Sequence, residues 1–204
     1  VGTSRKSVVL KTNSGHFIVT PDNGTLTLIA GSLGIAEVRE IDEAVNRRKG
    51  SEKSYTFHGR DVYAYTAARL AAGVIRFEEV GQELPKQVVR IPYQAAALEG
   101  NAIKGTIAIL DVQYGNIWTN IPAELFKKLG LKYGDQLQVS IYHDKTRVYQ
   151  GTMPYAATFG AVPEGKPLAY FNSLLQLSFA LNMGDFSGTY KVYSGSDWRV
   201  EVRK

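Results

Sequence analysis

The sequence predicts an α/β first domain followed by a second domain that is β-barrel-like. In the first part of the chain, runs that favour strands alternate with runs that favour helices, which is typical of a layered α/β architecture. From residue 104 onward, regularly spaced short strands with turn residues between them dominate instead. The 204 residues, 44% of them hydrophobic, suffice for two small packed domains, which we place at 1–92 and 97–204.

The first domain is predicted from strand runs and helix signals taken in order. Hairpin-turn residues at 12–15 join the first two strands, and an alanine-rich run followed by Gly73 indicates the last helix. Asp61 is the expected N-cap of that helix, because its carboxylate can accept the free N–H groups of the first turn. The predicted strands are 7–11, 16–20 and 36–41, and the predicted helices are 25–33, 42–48 and 62–72.

The second domain is predicted to consist mainly of strands rich in β-branched and aromatic residues. One short helix at 122–129 interrupts them, with Pro122 at its first position and Gly130 after its end. The number and spacing of the strands favour a small barrel or sandwich. The predicted strands are 106–112, 116–120, 136–142, 146–152, 167–171, 176–180 and 198–202.

Composition excludes several classes of function. The chain has no cysteine, so disulfides, thiol catalysis and thiolate metal sites are ruled out. Its three histidines are scattered without metal-ligand spacing, and we expect no metal. The net charge is +5, but the basic residues are interspersed with acidic ones throughout the chain. No apolar run reaches the roughly 20 residues that span a bilayer. We therefore expect a soluble, cytoplasmic protein that binds a small anionic or polar ligand rather than nucleic acid or membrane.

A polar cluster, Thr-Phe-His-Gly-Arg-Asp at 56–61, is the first candidate site. It places His58 just outside a predicted helix N-terminus, and Gly59 lets the backbone approach a ligand closely. The alternative interpretation is a capped helix that carries a surface histidine.

A second candidate site is the run at 111–120. Asp111, Tyr114, Asn116 and Trp118 surround Gly115 and supply a carboxylate, two aromatic faces and an amide. Aromatic faces stack on a purine while an amide pairs with its edge, so the run suits an adenine-type ligand. An ordinary turn with core aromatics is the alternative.

Five ordered motifs resemble the S-adenosylmethionine hydroxide adenosyltransferase family, which is related to the fluorinase and chlorinase that use the same substrate. The motifs are VGTSR at 1–5, PDNG at 21–24, TFHGRD at 56–61, D-x-x-Y-G-N-x-W-T-N at 111–120, and VPEG at 162–165 followed by Asn172-Ser173. The resemblance implies an α/β domain followed by a β-barrel-like domain, and a homotrimer with active sites at subunit interfaces. It also implies hydrolysis of S-adenosylmethionine to adenosine and methionine, with no metal or further cofactor.

The resemblance also assigns roles around the attacking water. His58 and Arg5 match two members of the family's Asp, Arg and His set, with His58 expected as the base that a nearby arginine keeps neutral. Phe57 and Gly59 are expected to line the water or halide pocket, with Thr56 beside them. The aspartate of the set belongs to a segment that precedes VGTSR in the family, so we expect the first domain to be incomplete.

In the second domain the resemblance assigns the ligand contacts. Asp111 and Ser173 are expected to hold the ammonium and carboxylate of methionine, and Asn116 the adenine edge. The alternative to a ligand contact is core packing for Trp118 and Phe159 and a turn cap for Ser173. Where the family commonly has a glycine, this chain has Leu174-Leu175. The full set of expected ligand residues here is Asp111, Tyr114, Asn116, Trp118, Phe159, Tyr170, Asn172, Ser173 and Met183.

Two other functions remain open on the sequence. A halide adenosyltransferase would lack the arginine and histidine pair, so Arg5 and His58 argue against it. A non-catalytic module that binds adenosine or nucleic acid is compatible with the basic charge. Arg60 and Asp61 are assigned to structure, as an ion pair and a helix cap.

Overall fold

The computed structural model describes residues 4–54 and 56–204. Over these residues the chain forms two compact units, the first ending at Ile91 and the second running Pro92–Lys204. None of the helices within the described ranges is long and apolar enough to cross a membrane. Each unit has its own hydrophobic core.

The first unit combines helices with an antiparallel sheet of strand order β2-β1-β3-β4 in the described residues. The mixture of helices and strands agrees with the predicted class, and the hairpin at 12–15 is closed by Gly15 N donating to Thr12 O over 3.0 Å. The elements are β1 (Ser7–Lys11), β2 (Phe17–Pro21), α1 (Thr27–Leu33), β3 (Glu37–Glu40), a π-helix (Gly59–Ala64), α2 (Tyr65–Ala71), a 3₁₀ turn (Phe77–Glu79) and β4 (Glu83–Leu84).

The central strand β1 is buried on both faces. Successive strand residues point to opposite faces of a sheet, so Val9 packs on one side and Val8 and Leu10 on the other. Val9 contacts the core that includes Val62 of the π-helix, whereas Leu10 belongs to the core that includes Leu26. β1 therefore fixes the position of the helix that carries the 56–61 motif.

The helix after the motif begins earlier than predicted. Its first residue is Gly59 with His58 as N-cap, so the prediction that Asp61 caps the helix is wrong. Asp61 is fully buried inside the π-helix, and its two oxygens accept from Arg60 Nε at 2.7 Å and Nη2 at 2.8 Å. The predicted ion pair is confirmed. Because Arg60 binds both oxygens of the Asp61 carboxylate, neither is left to cap the helix. Gly73, with φ 66°, follows the end of α2 as predicted.

Segment 42–48 forms turns, and the helix predicted there is wrong. Asp42 accepts from Ala44 N over 3.0 Å, a local side-chain bond that competes with helix formation. Asn46 is fully buried, donates to Val80 O over 2.9 Å and accepts from Arg69 Nη1 over 2.7 Å. These long-range bonds hold the segment in its turn conformation.

The second unit is a nearly closed antiparallel barrel, as predicted. Its strands follow the order β10-β11-β7-β6-β12-β8-β9 in the described residues, with β5 beside β6. A single parallel bridge between Tyr155 and Ala169 joins the two end strands, and Ala156 N donates to Ala169 O over 2.8 Å. The strands are β5 (Ala97–Glu99), β6 (Ala102–Asp111), β7 (Asn116–Pro122), β8 (Gln136–His143), β9 (Thr146–Pro154), β10 (Pro167–Phe171), β11 (Gln176–Leu181) and β12 (Trp198–Arg203).

All seven strands predicted for this unit are present, several with longer ends. The predicted helix at 122–129 is a short α-helix, α3 (Ala123–Phe126), continued by a 3₁₀ turn (Lys127–Leu129). The sequence did not reveal β5 or the helix α4 (Phe186–Tyr190). Gly188 lowers the helix propensity of α4. The N-cap residue Asp185 stabilises this helix, because its side chain accepts from Gly188 N over 2.8 Å.

The Asp61–Arg60 pair makes stability of the first unit depend on pH. The hydrogen bond from Arg60 holds the pKa of Asp61 below its usual range, so the pair stabilises the fold above the unfolded pKa. This stabilisation is lost as the pH falls through the lower, folded-state pKa. We expect Asp61→Asn to be less stable than the parent at neutral pH, with the difference shrinking as the pH falls through the lowered pKa of Asp61.

Urea unfolding, followed at the methyl resonances of the buried Val62, measures this difference in the first unit. Glu78→Gln, which neutralises an exposed carboxylate in the same unit, is the control. A difference between Asp61→Asn and the parent that stays constant over the whole pH range would contradict the assignment.

Candidate active site

Asp111 and Asn116, at the turn between β6 and β7, form the floor of a large cleft in the second unit. Asp111 ends β6 and Asn116 begins β7, and the two are direct cross-strand partners. Asn116 is buried, and its Nδ2 donates to Asp111 Oδ2 over 3.3 Å. Gly115 has φ 69°, and a Cβ there would lie 2.1 Å from Asp185 Oδ1, so the turn requires glycine.

The cleft, about 880 Å³ in volume, gathers every ligand residue predicted for the second unit. It also includes Phe171 and Asp185, which the sequence did not reveal. The only sequence signal for Asp185 is its position two residues after Met183, an expected ligand residue. The predicted residues that line the cleft are Asp111, Tyr114, Asn116, Trp118, Phe159, Tyr170, Asn172, Ser173 and Met183.

Aromatic and apolar side chains make up the walls and mouth of the cleft. The rings of Phe159 and Tyr170 lie 4.9 Å apart at 52°, and Trp118 lines the same space. Tyr114 and Met183 are 62% and 83% exposed at the mouth. Flat faces that remain uncovered can stack on a planar, apolar ligand ring.

The inner wall of the cleft is polar. Burial raises the pKa of Tyr170, and the charge of Asp111 adds to this shift. Tyr170 therefore stays a neutral hydroxyl that can donate or accept. Asn172 donates to Ser178 Oγ over 3.1 Å and accepts from Leu174 N and Gln176 N at 2.9 and 3.1 Å, so it also holds the β10–β11 turn.

In the first unit the 56–61 motif places its residues differently. His58 is 7% exposed, whereas Thr56, Phe57 and Gly59 are exposed. Phe57 lies under the guanidinium of Arg60, 4.9 Å from the ring centre. The predicted surface-histidine alternative is therefore wrong for His58, because its ring is buried among polar groups.

A glutamate and an arginine that the sequence did not reveal surround His58. Arg47 Nη2 lies 3.3 Å from His58 Nε2, and Glu43 Oε2 lies 3.7 Å from the same nitrogen. Glu43 also pairs with Arg47, and it lines a cleft of about 600 Å³ together with Arg5. Arg47 thus contacts His58, and Arg5 lines the same cleft as Glu43. The available sequence signal was the i,i+4 spacing of Glu43 and Arg47.

Family models match most of the chain. The model of the SAM hydroxide adenosyltransferase N-terminal domain matches residues 1–81, and the model of the C-terminal domain matches residues 105–199. The chain belongs to this family. Each motif that carries the resemblance lies inside one of these two matched ranges.

Relatives with named activities are similar over most of this chain. An (R)-S-adenosyl-L-methionine hydrolase of Salinispora tropica is 31% identical over 201 residues, covering 98% of this chain and 70% of the relative. A fluorinase of Actinopolyspora mzabensis is 30% identical, covering 93% and 62%. An (R)-S-adenosyl-L-methionine hydrolase of Methanocaldococcus jannaschii is 38% identical, covering 70% and 46%. The chain thus spans less than two thirds of the last two relatives.

A solved structure supports the fold of this family member. A conserved protein of Thermotoga maritima, described as uncharacterized, superimposes with a TM-score of 0.87 at 35% identity. That match covers 100% of this chain and 73% of the other.

One group in the barrel could hold a metal ion. His143, Asp144 and Asp197 are exposed, and their ligand atoms lie within 4.8 Å of one another. His143 Nε2 lies 2.9 Å from Asp197 Oδ2, and its ring stacks on Trp198 at 4.6 Å. Spacing along the sequence did not indicate this group, since Asp197 is distant in the chain. Its residues lie outside the ligand cleft.

Proposed function

We propose that the complete protein hydrolyses S-adenosylmethionine to adenosine and methionine. The cleft at the β6–β7 turn carries this proposal, because its aromatic walls and its Asp111–Asn116 floor suit an adenosine with a cationic amino-acid tail. Relatives from Salinispora tropica and Methanocaldococcus jannaschii are named as hydrolases of this compound. Family membership links their chemistry to this chain.

In the proposed complex the adenine ring stacks between aromatic faces and pairs with the Asn116 amide. Tyr114, Trp118 and Phe159 supply the faces, and Asp111 and Ser173 hold the ammonium and carboxylate of methionine. Each aromatic face near the sulfonium would add about 0.5 to 2 kcal/mol by cation–π attraction. The bond from Asn116 to Asp111 fixes both side chains before the ligand arrives.

The proposed chemistry is displacement at C5′. The oxygen of water bonds to C5′ as the C5′–S bond breaks, the electron pair goes to sulfur, and the water gives up one proton to the surrounding solvent. The sulfonium leaves as a neutral thioether, so departure needs no acid and no metal. His58 and Arg5 are the proposed catalytic residues, with Thr56, Phe57 and Gly59 beside the water.

Halide transfer is the second candidate, supported by the Actinopolyspora mzabensis fluorinase at 30% identity. The presence of both Arg5 and His58 favours water as the nucleophile. A third candidate, a non-catalytic adenosine-binding module, predicts binding without turnover. Product identity separates all three.

The first test is incubation of the full-length protein with S-adenosylmethionine, with and without chloride. We expect adenosine and methionine in both cases, identified by mass spectrometry. His58→Ala should lower kcat roughly 100-fold or more while KM changes little, because its contact forms with the attacking water. His16→Ala, a change at an exposed histidine of the same unit, should leave kcat unaltered. A chlorinated nucleoside, or intact substrate, would overturn the hydrolytic proposal.

The second test concerns Asn116. Asn116→Ala should weaken adenosine binding by about 1 to 3 kcal/mol, because adenine and Asp111 both lose a partner in a buried site. Fluorescence titration in a Trp198→Phe background reports on Trp118 alone, since the chain has two tryptophans. Asn101→Ala, at an exposed position in the same unit, is the matched control. Unchanged affinity in Asn116→Ala would remove the 111–120 run from the adenine site.

We further propose a homotrimer with sites shared at subunit interfaces. A closed ring needs two different complementary patches per chain, which two dissimilar units can supply. Mixing inactive His58→Ala chains with inactive Asp111→Ala chains should then restore part of the activity, as some interfaces combine the intact residues. A monomeric mass for the active protein, or no recovery after proven subunit exchange, would contradict the shared site.

A further inference from the structure

The contacts of His58 assign a task to Glu43 that neither the motif nor the family match supplies. We propose that Glu43 is a positioning residue which, through Arg47, fixes the ring nitrogen of His58 that carries the proton. The effect on turnover rests on the proposed hydrolysis. The effect on the histidine ring stands on the contacts alone.

The contact with Arg47 determines the tautomer of a neutral His58. A guanidinium can donate hydrogen bonds but cannot accept them, so His58 Nε2 must be the acceptor in its 3.3 Å contact with Arg47 Nη2. A neutral imidazole has one N–H, which then lies on Nδ1. Nδ1 is buried and has no hydrogen-bond partner among the described residues. The ring therefore presents a donor there.

Glu43 holds Arg47 in the position that this tautomer needs. Its Oε2 pairs with Arg47 Nη2, the same nitrogen that contacts the histidine. The other oxygen accepts from Ser7 Oγ over 3.0 Å, and Ser7 Oγ lies 3.3 Å from Tyr63 OH. β1 and the π-helix thus anchor the carboxylate. Arg47 Nη1 is buried without a partner in the described part of the chain, so Glu43 is the anchor seen for this guanidinium.

This arrangement separates two tasks that a histidine can perform. With the proton on Nδ1, His58 can orient an oxygen by donating to it. The lone pair that a general base needs lies on Nε2, where Arg47 already occupies it. The sequence predicted a base, whereas these contacts favour a donor that positions the attacking water. Loss of the Glu43 charge would release Arg47 and leave both tautomers accessible.

Nuclear magnetic resonance of the full-length protein with ¹⁵N-labelled histidine tests the tautomer directly. At about pH 8, where an unperturbed imidazole is neutral, the ring nitrogen shifts report which nitrogen is protonated. We expect the proton of His58 on Nδ1 in the parent and on both nitrogens, in exchange, in Glu43→Gln. His16 and His143 are exposed internal controls in the same spectrum, and Glu78→Gln is the charge-matched control variant. A proton on Nε2 in the parent, or an unchanged tautomer in Glu43→Gln, would overturn the proposal.

Kinetics provides the second measurement. Glu43→Gln should lower kcat roughly 10- to 100-fold with little change in KM, as expected for a misplaced positioning group. Glu43→Asp keeps the charge and should recover part of both kcat and the parent tautomer, and it decides the matter should Glu43→Gln fail to fold. A loss expressed in KM, or no recovery in Glu43→Asp, contradicts the assignment. If the parent releases no adenosine, the proposed hydrolysis fails while the tautomer result still judges the role of Glu43.

Discussion

The pairing of β6 with β7 is the constraint on which the candidate ligand cleft depends. Asp111, the last residue of β6, pairs with Asn116, the first residue of β7, so the four residues between them must form a tight turn. Gly115 makes this possible, and the space beside it is filled by Asp185. Asp185 also begins α4, and Ser187 N donates back to Gly115 O over 2.9 Å. Asp185 thus packs against the turn, caps the helix and lines the cleft, while the bond from Ser187 joins the helix to the turn.

In the first unit, buried polar side chains fix the conformation of the segment beside His58. An unpaired buried amide costs about 1 to 3 kcal/mol, so Asn46 strongly favours the one conformation of its segment that reaches both Val80 O and Arg69. That conformation sets Glu43 and Arg47 on the side of His58. The polar cluster thus depends on contacts with residues distant in the sequence.

Sequence succeeds here mainly where one short segment carries the signal, and it fails where several partners compete for a side chain or where the partners are distant. The barrel strands were predictable because β-branched runs alternate with turn residues, and the cleft residues at 111–118 were predictable because one short turn brings them together. The N-cap assigned to Asp61 failed because a neighbouring guanidinium occupies its carboxylate. Glu43 and Arg47 could not be assigned to His58, since the bonds that place them involve Ser7 and other residues distant in sequence.

The β10–β11 turn shows how the cleft tolerates a leucine in a strained backbone conformation. Leu175 has φ 55°, a left-handed conformation that costs a non-glycine residue about 1 to 2 kcal/mol. Asn172 offsets this cost, because its side chain accepts from the backbone N–H groups of Leu174 and Gln176 on either side. A glycine would adopt the same backbone without strain. With leucine in its place, Asn172 is committed to holding the turn, and Ser173 owes its position at the cleft to that bond pattern rather than to its own side chain.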